Sequence, residues 1–306
     1  MKKLKNLFLI LIAMLVLSAC SQESALLEED EGTKDGTDVK KIGFSISTLN
    51  NPFFVTLSEG AKSVSKDLGV ELVIIDAQDD ASKQASDVED LIQQGVDLLL
   101  INPVDSSAVG ASVESANAAG VPVITVDRSA ESGEIVSHIA SDNVAGGKLA
   151  GEFLLEQVGE GAKVVMLEGV AGSSAARDRG EGFLTAVEGK VDLVSSQTAN
   201  FNRSEGLTVM ENMLQANPDI EAVFSQNDEM ALGAIEAIES AGKNILVIGF
   251  DATEDAIKKI EEGKMAASVA QKPDEIGRAA VETAVKHLNG ESVEEFIPVE
   301  LELVTK

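Results

Sequence analysis

The sequence predicts an α/β protein made of two similar, doubly wound parallel-sheet lobes. Short β-branched runs alternate with amphipathic segments across residues 39–306. Runs such as residues 98–101 are apolar without alternation, which is typical of parallel strands covered on both faces. The pattern starts again after Asp142, and the stretch is longer than one hydrophobic core normally supports. Alternating strands and helices in two such sets indicate two doubly wound lobes.

In the first half, the apolar runs predict four strands, and the segments between them have helical periodicity. The strands are expected at residues 41–47, 70–76, 97–102 and 121–127, and the helices at residues 52–68, 81–94 and 108–119.

In the second half, strands are expected at residues 163–167, 191–195, 222–225 and 245–250, and helices at residues 146–157, 174–187, 204–216 and 230–241. The last signals, at residues 266–269, 273–288 and 296–304, predict crossings back between the lobes. We therefore expect a first lobe of residues 39–141 with 272–300, and a second lobe of residues 142–271 with 301–306. A similar strand-end spacing in both halves, Asn102 to Asp127 and Asn227 to Asp251, favours two related lobes, although similar segment lengths also arise by chance.

The N-terminus has the order of a secretory signal, with basic residues before an apolar run at residues 7–17. Residues 1–19 are predicted to be the signal peptide, and Leu17-Ser18-Ala19-Cys20 resembles a bacterial lipobox. Cys20 would then be lipidated and anchor an extracytoplasmic protein to the cell membrane, with residues 20–38 as an acidic tether. The alternative is a general signal peptide cut near Ala19 with an incidental thiol.

The composition argues against several classes of function. The chain has 52 acidic and 24 basic residues, a formal net charge of −28, so nucleic acid and anionic lipid headgroups would be repelled. His138, in a strand-like segment, and His287, in a polar helix, have no nucleophile motif near them. The adjacent acids Asp228 and Glu229 are interpreted as helix caps, and no phosphate-binding loop is present. We expect no enzyme activity, no cofactor and no metal.

Polar and aromatic side chains collect where the predicted strands end, which is where open parallel sheets bind ligands. Exposed-looking aromatics follow the first strand, and Asp, Asn, Gln and Arg follow others. These side chains suit a neutral polyhydroxylated ligand, since they donate to and accept from vicinal hydroxyls. Taken singly, each Asp or Arg could instead be a cap or an interlobe ion pair, and each Phe a local packing residue. The candidates are Asn51, Phe53, Phe54, Asp127, Arg128, Arg179, Phe201, Asn227, Asp251 and Gln271.

Several long segments, in the same order along residues 39–306, resemble bacterial ribose-binding proteins. They are STLNNPFF from Ser47, VITVDR from Val123, SHIASDN from Ser137, SAARDRGEGF from Ser174, QNDEMALGA from Gln226 and GFD from Gly249.

The resemblance implies a type I periplasmic binding protein fold, with two lobes joined by three hinge strands that close over one pyranose ring. It implies that the three phenylalanines sandwich the sugar and the seven polar candidates hydrogen-bond it. D-ribose would be delivered to an ABC permease by a monomer. Allose or a furanose-like signalling molecule, or presentation to a chemoreceptor or sensor, stay open as alternatives. The sequence departs from the family at the lipobox, the tether and Ala252, and not at the pocket.

Overall fold

The structure is a computed structural model and describes residues 39–306; the predicted signal peptide, Cys20 and tether lie outside the described residues. The first part of the fold comprises β1 (Lys41–Ile46), α1 (Pro52–Leu68), β2 (Glu71–Asp76), α2 (Ala81–Gln93), β3 (Leu98–Ile101), α3 (Gly110–Ala118), β4 (Val123–Val126) and β5 (Ser137–Ser141).

The second part comprises α4 (Asn143–Val158), β6 (Lys163–Glu168), α5 (Ser174–Val187), β7 (Asp192–Thr198), α6 (Arg203–Ala216), β8 (Ala222–Ser225), α7 (Asp228–Ser240), β9 (Leu246–Asp251), α8 (Glu254–Glu261) and β10 (Ala267–Ala270). The chain ends with α9 (Pro273–Leu288), β11 (Phe296–Val299) and β12 (Glu302–Thr305). In the part of the chain that the structure describes, no helix is both long and apolar enough to cross a membrane.

The strands form two six-stranded sheets with matching order, β11-β5-β4-β3-β1-β2 and β12-β10-β9-β8-β6-β7. All pairs in the first sheet are parallel, and in the second sheet only β12 runs antiparallel to its neighbour. Helices cover both faces of each sheet: α1 and α9 oppose α2 and α3 on the first, and α4 and α5 oppose α6, α7 and α8 on the second. The predicted fold class is confirmed.

Within residues 39–306 the chain passes from one sheet to the other three times: between β5 and α4, between β10 and α9, and between β11 and β12. The sheet membership supports the two expected lobes, whose exact limits stay a prediction. Residues 296–304, where the sequence predicts a crossing between the lobes, are two strands in different sheets, because the chain turns away at Glu300 and Leu301. α8 was not among the predicted elements, and β5 was predicted only as a strand-like segment at His138.

In both lobes the strand order reverses beside the first strand: β2 and β3 flank β1, and β7 and β8 flank β6. At such a switch point the loops at the carboxyl ends of neighbouring strands run to opposite faces and leave a crevice. The two crevices face each other and position the candidate site.

Candidate functional site

The structure brings all ten sequence-predicted residues to one cavity between the lobes. The empty space beside their side chains, including the part that is open to solvent, is about 250 Å³. The wall consists of Asn51, Phe53, Phe54, Asp127 and Arg128 from the first lobe, Ala175, Arg179, Phe201, Asn227 and Asp251 from the second, and Gln271 at a crossing. Ala175, which the sequence reasoning missed, is a small side chain with no chemical signal.

The start of α1 places the two adjacent aromatic residues. The Asn51 Oδ1 accepts a hydrogen bond from the Phe53 backbone N at 3.0 Å, and Pro52 opens the helix with its fixed φ. Phe53 and Phe54 therefore lie in the first turn, with their rings edge to face at 5.1 Å. Both are at least 95% buried, so their exposed appearance in the sequence is misleading.

Asp127 lies in a tight turn directly after β4. Its φ is 64°, a left-handed conformation that costs a non-glycine residue energy, and Arg128 N donates to Val126 O across it at 2.7 Å. The buried Asn102 amide supports this turn by donating to Val126 O at 3.0 Å and to Asp127 Oδ2 at 3.5 Å. Asn102 thus holds Asp127 in place and does not line the cavity.

Arg128 lies between aromatic rings from both lobes. Its guanidinium carbon is 5.1 Å from the Phe54 ring centre and 5.4 Å from that of Phe201, within cation–π range. Its Nη1 donates to Pro103 O at 3.0 Å. The Phe201 ring reaches this position because Gly169 has no side chain; a Cβ there would lie 2.0 Å from the ring.

Arg179 is held from several sides within the second lobe. Nε donates to Asn143 Oδ1 at 2.8 Å, and Nη1 donates to Gln226 O at 2.7 Å. The guanidinium stacks 3.8 Å above the Phe250 ring, and Nη1 lies 3.8 Å from Asp251 Oδ1. Its orientation is therefore set before any ligand arrives.

The remaining second-lobe residues are fixed by caps and side-chain pairs. The Asn227 side chain caps α7 by accepting from Met230 N at 3.0 Å, and its amide donates to Phe201 O at 3.3 Å. Gln271 Nε2 donates to Asp251 Oδ1 at 2.8 Å. Asn227 is thus both a helix cap and part of the cavity wall.

The cavity contains two buried carboxylates and two buried guanidiniums, so its formal charges balance. Burial raises the pKa of Asp127 and raises that of Asp251 well above its usual range, while Arg179 opposes both shifts. Burial also lowers the pKa of Arg128 and Arg179, which the neighbouring carboxylates oppose.

Some buried polar atoms of the wall have no hydrogen-bond partner within residues 39–306: Asp127 Oδ1, Arg128 Nε and Gln271 Oε1. An unpaired buried donor or acceptor costs about 1–3 kcal/mol, so these atoms favour a ligand that can both donate and accept. Apolar ring faces beside charged hydrogen-bonding groups suit an uncharged polyol.

The lobes also touch each other outside the cavity, through polar contacts at the rim. The Arg177 guanidinium forms an ion pair with Glu131 at 2.8 Å, so this arginine is an interlobe ion pair and not a wall residue. Backbone groups make the other contacts: Ser106 N donates to Gly172 O at 2.9 Å, Ser129 N to Ser174 Oγ at 2.9 Å, and Ser174 N to Ser106 Oγ at 3.2 Å. The structure is therefore a closed arrangement of the lobes.

One interpretation of the sequence is wrong. Asp228 does not cap α7, since Asn227 does so and the Asp228 carboxylate is buried against Thr253 and Ser268. His138 lies in β5, with Nδ1 2.9 Å from Thr125 Oγ1 and its ring stacked on Phe296, away from the cavity.

Comparison with known proteins places this geometry in a family. Residues 42–292 match the family model described as periplasmic binding protein domain. The chain is similar to the ribose import binding protein of Bacillus subtilis, at 53% identity over all of both chains, and to that of Escherichia coli, at 50% identity over all of this chain and 99% of the other. It also resembles the crystal structure of an ABC transporter solute binding protein from Mycobacterium smegmatis with bound glycerol. There the TM-score is 0.84 and the identity 41%, covering 88% of this chain and 94% of the other. The chain belongs to the periplasmic binding protein family.

Proposed function

We propose that this protein captures D-ribose in the interlobe cavity and delivers it to the permease of an ABC importer. The observation that carries the proposal is a cavity in which both lobes supply a buried Asp, a buried Arg and a phenylalanine ring. The likeness to two ribose import binding proteins over the whole chain selects ribose among the neutral polyols.

The ten wall residues divide by chemistry into two roles. Phe53, Phe54 and Phe201 pack against the faces of the sugar ring, and the polar side chains bind its hydroxyls. A hydroxyl donates and accepts at once, so it pairs with a carboxylate and a guanidinium together. The polar group is Asn51, Asp127, Arg128, Arg179, Asn227, Asp251 and Gln271.

Closure of the lobes couples binding to transport. Only the closed arrangement lets side chains of both lobes reach one ligand, so the sugar stabilises that arrangement by its differential affinity. The rim contacts, such as Ser106 N to Gly172 O, form in the same arrangement. A permease that binds the closed surface then receives only loaded protein.

Calorimetric unfolding with and without sugars tests the ligand, because a chain without Trp or Tyr gives little intrinsic fluorescence. D-ribose at 100 times its dissociation constant is expected to add about 2.7 kcal/mol to the free energy of unfolding. Allose, other pentoses and hexoses, furanose sugars and sugar phosphates form the comparison panel. A shift with another sugar alone would replace ribose and keep the site, whereas no shift with any sugar would overturn the proposal.

We also propose that Cys20 carries the lipid anchor, that the protein acts as a monomer, and that the permease is its main partner. The lipobox-like Leu17-Ser18-Ala19-Cys20 supports the anchor. Fatty-acid labelling of the wild type but not of Cys20→Ala tests it, and sedimentation with and without ribose tests the monomer. A strain that lacks the permease separates transport from sugar presentation to a sensor. Loss of ribose uptake in this strain supports the permease as partner, and a response to ribose that persists there indicates a sensory partner.

A further inference from the structure

Asp228 is a buried carboxylate close to the cavity but outside its wall. It is the first residue of α7, its exposed fraction is 0%, and it follows the wall residue Asn227. Oδ2 accepts from Thr253 N at 2.7 Å and from Thr253 Oγ1 at 3.2 Å. Oδ1 accepts from Ser268 Oγ at 2.7 Å, so both oxygens bind residues distant in sequence.

These hydrogen bonds converge on the turn that follows β9. Ser268 Oγ, which donates to Asp228, accepts from Ala252 N at 3.0 Å. Asp228 therefore holds Thr253 directly and Ala252 through Ser268. These are the two residues that follow the wall residue Asp251.

The backbone of this turn is strained, so contacts with the surrounding residues are needed to hold its conformation. The φ of Asp251 is 112° and that of Ala252 is 53°, two consecutive non-glycine residues in the left-handed region. This backbone directs the Asp251 carboxylate toward Gln271 Nε2, at 2.8 Å, and toward Arg179 Nη1, at 3.8 Å. A relaxed turn would move the carboxylate away from both partners.

In the first lobe, a neutral side chain supports the corresponding turn. There Asn102 supports the left-handed turn at Asp127 by two hydrogen bonds. A carboxylate in the second lobe carries an electrostatic cost: burial raises the pKa of Asp251, and the charge of Asp228 raises it further. Burial likewise raises the pKa of Asp228 to about 7, while its hydrogen bonds from Ser268 and Thr253 oppose the shift.

We propose that Asp228 is a positioning residue for sugar binding, which holds the Asp251-Ala252 turn through Ser268 and Thr253 so that the Asp251 carboxylate faces Arg179 and the cavity. The inference rests on the proposed function, in which Asp251 binds a sugar hydroxyl. Asp228 itself does not touch the sugar.

A thermodynamic cycle on ribose affinity tests the route through Asp251. Ser268→Ala and Asp228→Asn are each measured by titration calorimetry alone and combined with Asp251→Asn, at ribose concentrations up to millimolar. We expect each single change to raise the dissociation constant about ten-fold, and to raise it less than about two-fold when Asp251 is already Asn. An equal increase in both backgrounds, or no increase in either, would overturn the proposal.

Ser137→Ala is the matched control. Ser137 is a fully buried strand serine in the other sheet, and its hydroxyl has no protein partner among the described residues. Its loss is expected to leave the ribose dissociation constant within about two-fold of wild type, as for a distant, uncoupled site.

Amide hydrogen exchange in the ligand-free protein tests the positioning step independently of the sugar. The Ala252 amide is expected to exchange at least about ten-fold faster in Ser268→Ala and in Asp228→Asn than in wild type or Ser137→Ala. Unchanged protection would overturn the positioning role even if ribose binds. If the wild type does not bind ribose but the exchange result is as expected, the proposal that ribose is the ligand is wrong, and Asp228 still supports this turn. If Asp228→Asn does not fold, Ser268→Ala alone decides both measurements.

Discussion

Replacing Gly172 by alanine should block closure of the lobes without disturbing either lobe. Gly172 lies at the rim of the second lobe, and a Cβ there would be 1.9 Å from Asp105 Oδ2 of the first lobe. The backbone of Gly172 is outside the left-handed region, so alanine fits the local chain. The clash therefore arises only when the lobes come together.

The size of the effect follows from the ways in which the clash can be relieved. If the Asp105 side chain swings away, its Oδ1 loses the hydrogen bonds from Ser107 N at 2.9 Å and Ala108 N at 2.8 Å. Losing such a capping interaction costs about 1 kcal/mol, and overpacking costs about 1–3 kcal/mol. Closure is opposed by this amount, so the ribose dissociation constant should rise about 5- to 150-fold.

Titration calorimetry with ribose, together with thermal unfolding of the ligand-free protein, measures both parts of this prediction. Affinity should fall by the same factor for every sugar that binds, while the ligand-free unfolding temperature stays the same. Adding Asp105→Ser, which keeps a capping oxygen on a shorter side chain, should restore most of the affinity. Wild-type affinity in Gly172→Ala, or equal destabilisation of the ligand-free protein, would show this reasoning to be wrong.

Three further predictions concern the buried polar groups. Arg179→Ala should raise the ribose dissociation constant more than about 100-fold with an unchanged circular dichroism spectrum, because Asp251 loses its buried cation; binding at wild-type affinity would remove Arg179 from the site. Asn102→Ala should lower the free energy of unfolding in urea by about 1–3 kcal/mol, because a buried amide bridging neighbouring strand ends is lost; an unchanged midpoint would argue against that support. Folding raises the pKa of Asp228 from 3.8 to about 7, so between these pH values the folded protein keeps a proton that the unfolded chain releases, and stability falls as the pH rises. Wild type should lose roughly 1 kcal/mol per pH unit relative to Asp228→Asn across this window. Asp251 and Arg179 are charges that interact with Asp228. Parallel pH profiles of the two proteins in thermal unfolding would contradict this prediction.

The site could be assembled from sequence because strand ends in parallel sheets share an edge. Asp127 and Asp251 were identified by their position after apolar runs, and the structure places them on one cavity. The supporting residues could not be found in this way. Asp228 stands at the start of a helix, where an acidic residue is expected to be a cap. Nothing in the local sequence indicates that its hydrogen-bond partner is Thr253, in the turn that follows β9.

The limits of local patterns also explain the errors in the fold. α8, Glu254–Glu261, is a short helix with two buried residues, too few to establish a periodicity. β5 is rich in small and polar residues, since it contains Ser137, His138 and Ser141.

The C-terminal segment contributes a strand to each of the two sheets, so neither sheet is complete until this segment has been made. β11 completes the edge of one sheet and β12 that of the other, while α9 covers a face of the first sheet. A chain emerging in order from its N-terminus thus makes β1 to β5 early but leaves that sheet partly uncovered until residue 288 has been made. The pairing of β11 with β5 joins Phe296 to His138, and α9 packs against the early strands; such non-local contacts form slowly because loop-closure entropy opposes them. Loss of the last eleven residues would remove an edge strand from both lobes at once, so a chain that ends before β11 has neither sheet complete.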